Sequence, residues 1–359
     1  MLNIKHYCYF VICILLFSCK EEKKQDQISK NSETQNLKNK EVTFIKDDAA
    51  KRVDINLNGN FFTSYRYDGK TPKPILYPII TKSGKTVTRG FPFDPRSGER
   101  IDHPHHVGLW FNYGNVNGLD FWNNSYAIPD NEKDKYGTIV PQEISEINED
   151  NGTITVKAVW QSPKNVDLLD ETTVFKFGEE GETRFIDRTT TLKALEKVTF
   201  KDNKEGMLGM RVARELELPS NEPAVFTDEE GNETEVKALN NDGVTGDYLG
   251  SEGKTGDDVW GTRNDWVRLQ GQINGDTVAI VILDNKKNVG YPTYWHARGY
   301  GLFAANPLGQ AIFSEGKKTL NFELEKGEST QFRYRILIHD GSELSKEQID
   351  KSFADFNQG

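Results

Sequence analysis

From Val42 onward, short runs in which apolar and polar residues alternate are broken by Gly, Asn, Asp or Pro, the texture of an antiparallel β protein. Val53, Ile55 and Leu57 form one such run, Asn58-Gly59 offers a tight hairpin turn, and Phe61 opens the returning strand. Ile154, Val156, Ala158 and Trp160 make a second stripe and Thr173, Phe175 and Phe177 a third, with Asp150-Asn151-Gly152 and Glu180-Gly181 as turns. Further strands are expected over 184–192, 207–218, 278–283 and 320–324. In the last long strand Phe332, Tyr334, Ile336 and Ile338 face one way, with Arg333 and Arg335 facing the other. A convincing helix pattern occurs at the C-terminus, where Ser345 and Gln348 form a capping box and Ile349, Phe353 and Phe356 share a face. That helix is expected to cap a sheet edge. With no fixed-period repeat and no internal linker, 43–359 reads as a single all-β domain: a large antiparallel two-sheet sandwich with a short C-terminal helix.

Three stretches break this texture. Residues 89–126 (RGFPFDPRSGERIDHPHHVGLWFNYGNVNGLDFWNNSY) hold three of the six histidines and two of the six tryptophans. Residues 242–266 hold six glycines, no periodicity, Trp260, Arg263 and Trp266, and are expected to be a lid or binding loop. Residues 290–309 bring Trp295, His296, Arg298 and Asn306 among further glycines and aromatics. Five of the six tryptophans sit in these stretches, so the three are expected to converge on a concave site for a polar ligand.

The formal charge of −10 and pI near 5.3 argue against nucleic acid or an anionic membrane surface as partner, because both demand a basic stripe. All three cysteines, Cys8, Cys13 and Cys19, lie at the N-terminus, in a segment that opens with Lys5 and His6, runs apolar, and ends Leu16-Phe17-Ser18-Cys19. This has the parts of a secretory signal and is too short for a transmembrane helix. The LFSC ending resembles a bacterial lipobox, which implies cleavage before Cys19, lipidation of that cysteine, and a mature domain without disulfides. The charged tract that follows, 20–42, has too little apolar surface to fold and is expected to be a tether. Its opening Lys20-Glu21-Glu22 resembles an export signal of Bacteroidota surface lipoproteins. An outer-membrane lipoprotein, facing the periplasm or the cell surface and touching the membrane through its lipid anchor, is the expected localisation.

The stretches RGFPFDPRSG, DHPHHVGLWFNYGNVNGLDFW, KDNKEGMLGMRVA, SEGKTGDDVWGTRNDW and PTYWHARGYGLFAANPLG resemble the PmoA-family lipoproteins and secreted proteins, a family of unknown function whose label refers to methane oxygenase. A true methane-oxygenase subunit spans the membrane several times, whereas this chain has one apolar segment, which reads as a signal. Members of the family are commonly encoded beside carbohydrate-degradation genes, so the resemblance implies a carbohydrate or glycoside as partner. The ending LEKGESTQFRYRILIH is similar to the closing strands of sugar-acting supersandwich proteins related to galactose mutarotase.

In an extended DHPHH segment, His103 and His105 would face one way and His106 the other. Three roles stay open for them. They can bind a polar ligand or move protons near neutral pH, with Glu205 as the carboxylate partner. They can hold a divalent metal, with His296, Asp102, Asp120 or Glu205 as a further ligand. Or they can be structural, donating to carbonyls around a turn. No cofactor is otherwise implied. The catalytic candidates are His105, His106, Glu205 and His296. The family likeness raises Lys204, Glu205 and Arg211 above other charges. Arg89, Arg298 and Arg263 are candidates for gripping a carboxylate or sugar hydroxyls, and His103, Asn112, Asp120 and Asn306 for further polar contacts. Trp110, Trp122, Trp260 and Trp295 are candidate platforms for the apolar face of a pyranose. Together these readings describe a carbohydrate-binding protein that acts by acid/base chemistry, with a non-catalytic glycan-binding lipoprotein and a metal-dependent enzyme as alternatives.

Overall fold

The computed structural model of the chain describes residues 41–228, 232–236 and 240–358. The signal, Cys19 and most of the tether lie outside the described residues. Residues from Glu41 onward form one unit, built from two eight-stranded antiparallel sheets.

The first sheet runs, in spatial order, Val42–Asp47, Arg52–Leu57, Asn60–Arg66, Ile75–Ile79, Leu109–Tyr113, Gly206–Arg211, Leu302–Asn306 and Tyr294–Arg298. The second runs Asp247–Gly250, Trp266–Ile273, Asp276–Asp284, Ser329–Gly341, Thr183–Ala194, Asp167–Glu180, Thr153–Gln161 and Thr138–Asn148. The alternating stripes meet between them: Phe62 packs on Phe177, Tyr65 on Phe175, and Phe111 on both Trp160 and Phe332. Asn58 and Gly59 both take positive φ, as a tight hairpin turn requires.

A buried polar knot crosses this core. Arg188 bonds Glu171 at 2.8 Å, and Glu171 accepts the Trp160 indole N–H at 2.8 Å. A buried charge is tolerated when it is paired and hydrogen-bonded, as here.

Several expectations are corrected. The strand expected over 207–218 ends at Arg211 and is followed by a 3-10 turn, Arg214–Leu216. The strand expected over 320–324 shortens to Phe322–Leu324 and pairs with Val198–Phe200 outside the large sheets. The α-helix Lys346–Phe356 has the expected capping box. It does not cap a sheet edge, however: Ile349 and Phe353 pack on Trp266, Ala279, Val281 and Leu337, the outer face of the second sheet. Residues 242–266 are not a structureless lid, because Asp247–Gly250 joins the second sheet and Gly256–Val259 forms a 3-10 turn.

Candidate active site

The outer face of the first sheet, turned away from the core, gathers most of the predicted site residues. Register fixes the arrangement: Trp110 lies opposite Gly209, Gly209 opposite Ala304, and Ala304 opposite His296. The two small residues leave the middle of this row low, and indole rings fill it from one side. A Cβ placed on Gly209 would lie 2.5 Å from Trp110 Cζ2 and 2.9 Å from Trp122 Cη2. In the next row Arg211 and Arg298 flank Leu302.

Over this floor sits the histidine segment, and it is a turn rather than an extended strand. The His106 N–H bonds the His103 carbonyl at 2.9 Å, and His103 holds a left-handed φ of 45°. The cause is Arg89, a buried side chain whose guanidinium donates to the carbonyls of Arg100, Asp102, His103 and His106 at 2.8–3.0 Å. The strand alternation expected for DHPHH therefore does not apply. All three rings cluster instead: His103 stacks on His106 at 4.9 Å and on Tyr300 at 5.0 Å, His106 stacks on Trp110 at 5.2 Å, and His105 meets His106 edge-on at 4.2 Å.

Asp102 ties the turn to the sheet. Its Oδ1 accepts from Arg89 at 2.8 Å and Arg211 at 2.6 Å, and its Oδ2 lies 2.9 Å from His103 Nδ1. Partial burial opposes ionisation of this carboxyl, but Arg211, the His103 bond and Arg89 together hold it well below the usual carboxylate range. Burial first, and then neighbouring cations and imidazoles, drive His105 and His106 well below the ordinary histidine value. Both are neutral near pH 7. His103, by contrast, keeps 41% of its side chain exposed.

A second group is built around Glu205 and His296. Glu205 Oε1 bonds Lys204 at 2.9 Å and its Oε2 lies 3.7 Å from His296 Nδ1. Burial, then the charges of Lys204 and Arg298, pull His296 down to about 3. Trp260 sits beside it, packed on Phe313, with the Arg298 guanidinium 5.5 Å from the Trp260 ring. Phe313 in turn packs on His296.

Other predicted residues do different work. Trp295 points into the inter-sheet core, its indole N–H bonded to the Asn264 carbonyl. Trp266, fully buried, bonds Asp350 of the C-terminal helix on the far sheet. Arg263 clamps the carbonyls of Gly290 and Pro292. Asn306 ties the Asn203 carbonyl to the amides of Leu308 and Gly309. Asp120 caps a turn by accepting from the amides of Trp122 and Asn123. Asn112 gives its Nδ2 to the Phe121 carbonyl. Sequence reading misses Lys73 and Tyr300. Lys73 is buried, bonds the His105 carbonyl at 2.9 Å and lies 5.5 Å from the centre of the Trp110 ring, and burial pulls it down to about 7. A lone lysine between two prolines carries no local signal of such burial.

Among the described residues no three of His, Cys, Asp or Glu converge as a metal-holding group, and the titratable groups are spread across the face. Eight buried polar atoms on or beside it make no hydrogen bond within the protein: Arg89 Nε, His106 Nε2, Trp110 Nε1, Asn112 Oδ1, Trp122 Nε1, Arg211 Nε, Trp260 Nε1 and His296 Nδ1.

Residues 52–354 match a family described as a family of unknown function (DUF6807); that description does not mention PmoA. No curated protein matches the chain. Solved structures similar to it include the GH36 α-galactosidase AgaB from Geobacillus stearothermophilus, at 10% identity over 84% of this chain and 41% of that one, TM-score 0.38. A mutant of the heparan sulfate lyase HepC from Pedobacter heparinus matches at 8% identity over 86% and 36%, TM-score 0.34. A galactose mutarotase related enzyme from Lactobacillus acidophilus matches at 11% identity over 84% and 100%, TM-score 0.29. The chain thus spans about two fifths of the length of the galactosidase.

Proposed function

The chain belongs to the family of unknown function DUF6807, and from that premise, which brings no activity with it, we propose that the outer face of its first sheet binds a carbohydrate and moves protons on it. One observation carries the reading: His103, solvent-reachable and held at a left-handed φ, directs Nδ1 at Asp102 while Asp102 is locked by two buried arginines. A carboxylate on Nδ1 fixes the tautomer and leaves Nε2 to accept a proton from a bound hydroxyl or carbon acid. The two guanidiniums keep Asp102 ionised, so it orients the imidazole and stabilises the imidazolium rather than taking the proton itself. Backbone strain at an exposed, over-determined residue is a feature of functional sites.

Glu205 is the complementary group: Lys204 holds its carboxylate, and His296 Nδ1 lies 3.7 Å from it. A sugar bound between His103 and Glu205 would have one proton-transferring group at each end, the arrangement used for epimerisation, elimination and hydrolysis alike. Trp260 supplies a ring face to its C–H surface. Lipid anchoring through Cys19, in a surface or periplasmic setting, belongs to the same proposal. So does the PmoA resemblance, whose members lie beside carbohydrate-degradation genes.

The test is incubation with neutral and uronate-bearing oligosaccharides in deuterated water, with product formation and deuterium incorporation read by mass spectrometry. His103→Asn, which tolerates the left-handed backbone, and Glu205→Gln should each lose roughly 10²–10⁴-fold in rate while keeping the fold and most of the affinity. Affinity lost with no turnover in the wild type would replace catalysis by glycan binding. Wild-type rates in both variants would refute the proton-transfer roles.

A further inference from the structure

The same sheet face carries a second depression beyond the histidine turn. Arg52, Asp54, Phe61, Ser64, Arg66 and Tyr77 line most of a cavity of about 260 Å³. That is close to the lower bound of small-ligand pockets, roughly 300 Å³. The pairing Arg52 to Arg66 and Asp54 to Ser64 places these polar side chains on the face opposite core residues Val53, Ile55 and Tyr65. The cavity is joined to the histidine cluster: Tyr77 belongs to the apolar group that holds Trp110, Trp122 and Leu302, and it packs on Phe93 at 5.6 Å. The Arg66 guanidinium lies 4.3 Å from the centre of that same Phe93 ring.

We propose that this cavity is a second sugar subsite, so that the ligand of this face is an oligosaccharide chain rather than a single sugar. The inference rests on the carbohydrate reading and deepens it. Both donors and acceptors line the cavity: Arg52 Nε contacts Asp54 Oδ1 at 3.1 Å, Ser64 Oγ bonds the same oxygen at 2.5 Å, and Arg66 is oriented by a 2.6 Å bond from Nη2 to Asp68 beside it. Vicinal sugar hydroxyls, each both donor and acceptor, complement such a mixed polar lining. The half-buried Phe61 ring offers a stacking face, and its backbone is fixed because its carbonyl accepts from the buried Arg184. Three strand steps separate Asn60–Arg66 from Gly206–Arg211, about 14 Å at roughly 4.8 Å per step. One sugar ring cannot reach both places, whereas a short chain can.

The experiment is calorimetric titration of the full chain with size ladders of neutral and oligogalacturonate sugars, from single sugars to oligomers, repeated on Arg66→Ala and Arg52→Ala. Melting curves check that each variant is folded. Affinity of the wild type should rise with chain length. Arg66→Ala should remove about tenfold or more from the longer ligands, the size of one charge-assisted contact, and leave the shortest binder unchanged. A rise with length that survives both variants, or no rise, refutes the subsite alone. No binding by any ladder refutes the carbohydrate reading beneath it.

Discussion

Asp102→Asn is the most informative single change, because one carboxylate serves two buried cations and an imidazole at once. In the wild type Asp102 contacts Arg211 at 2.6 Å, Arg89 at 2.8 Å and His103 at 2.9 Å, and the two guanidinium side chains are 0% and 1% exposed. An amide keeps the shape and removes the charge, leaving both cations without their counter-ion. Breaking a buried ion pair costs about 3–5 kcal/mol. Asp102 is 31% exposed and Arg89 retains its four carbonyl acceptors, so water and backbone offset part of this, and about 2–4 kcal/mol is expected. For a domain of this size that corresponds to a fall in Tm of roughly 3–6 °C. The pH dependence has a definite sign. A carboxyl whose folded pKa is depressed stabilises the fold above its unfolded value, near 3.9, and that stability is lost as pH falls through the folded value. Wild-type Tm should therefore drop in acid more steeply than that of Asp102→Asn. Thermal melts of both proteins across the acid range measure this. Equal Tm at neutral pH and parallel acid slopes would refute the reasoning.

Three further outcomes follow from the same geometry. Gly209→Ala drives a methyl into Trp110 and Trp122 and should cost about 1–3 kcal/mol, read as a lowered denaturation midpoint; an unchanged midpoint would mean the indoles can shift freely. Lys73, pulled down to about 7 by burial with Asp120 partly opposing, has a folded value below its unfolded one near 10.4. Wild-type stability should therefore rise with pH between these values relative to Lys73→Met, and identical slopes would show that the lysine is solvated. Cys19→Ala, outside the described residues, should move the protein from the membrane to the soluble fraction, and persistence on the membrane after a salt wash would end the lipoprotein reading.

Local chemistry makes much of this fold legible in the sequence. The Asn58-Gly59 hairpin and the Ser345 capping box are written in adjacent residues, and Ile154 to Trp160 show their buried face by simple alternation. Alternation says which residues share a face but not what covers that face. That is why Trp295 reads like a site residue and yet lies in the inter-sheet core, and why Trp266, at a strand start on the other sheet, packs against a helix. The histidine turn is illegible for a different reason: the agent that bends it, Arg89, stands more than ten positions upstream, and its grip exists only once the sheet has formed. Lys73 and Tyr300 are placed by tertiary contacts in the same way. The convergence of 89–126 with 290–309 is legible, because polar and aromatic residues interrupt both strand patterns at once.

Arg89 fastens the histidine turn by its carbonyl oxygens, at Arg100, Asp102, His103 and His106. Carbonyls are common to all amino acids, so the path of this loop is largely independent of the side chains it displays. Ile101, Pro104 and His105 can be exchanged to alter the side chains the face displays while the trace of the backbone is kept. A library randomised at these three positions with Arg89 and Asp102 held constant would stay mostly folded, which makes the turn a replaceable cassette on a fixed mount.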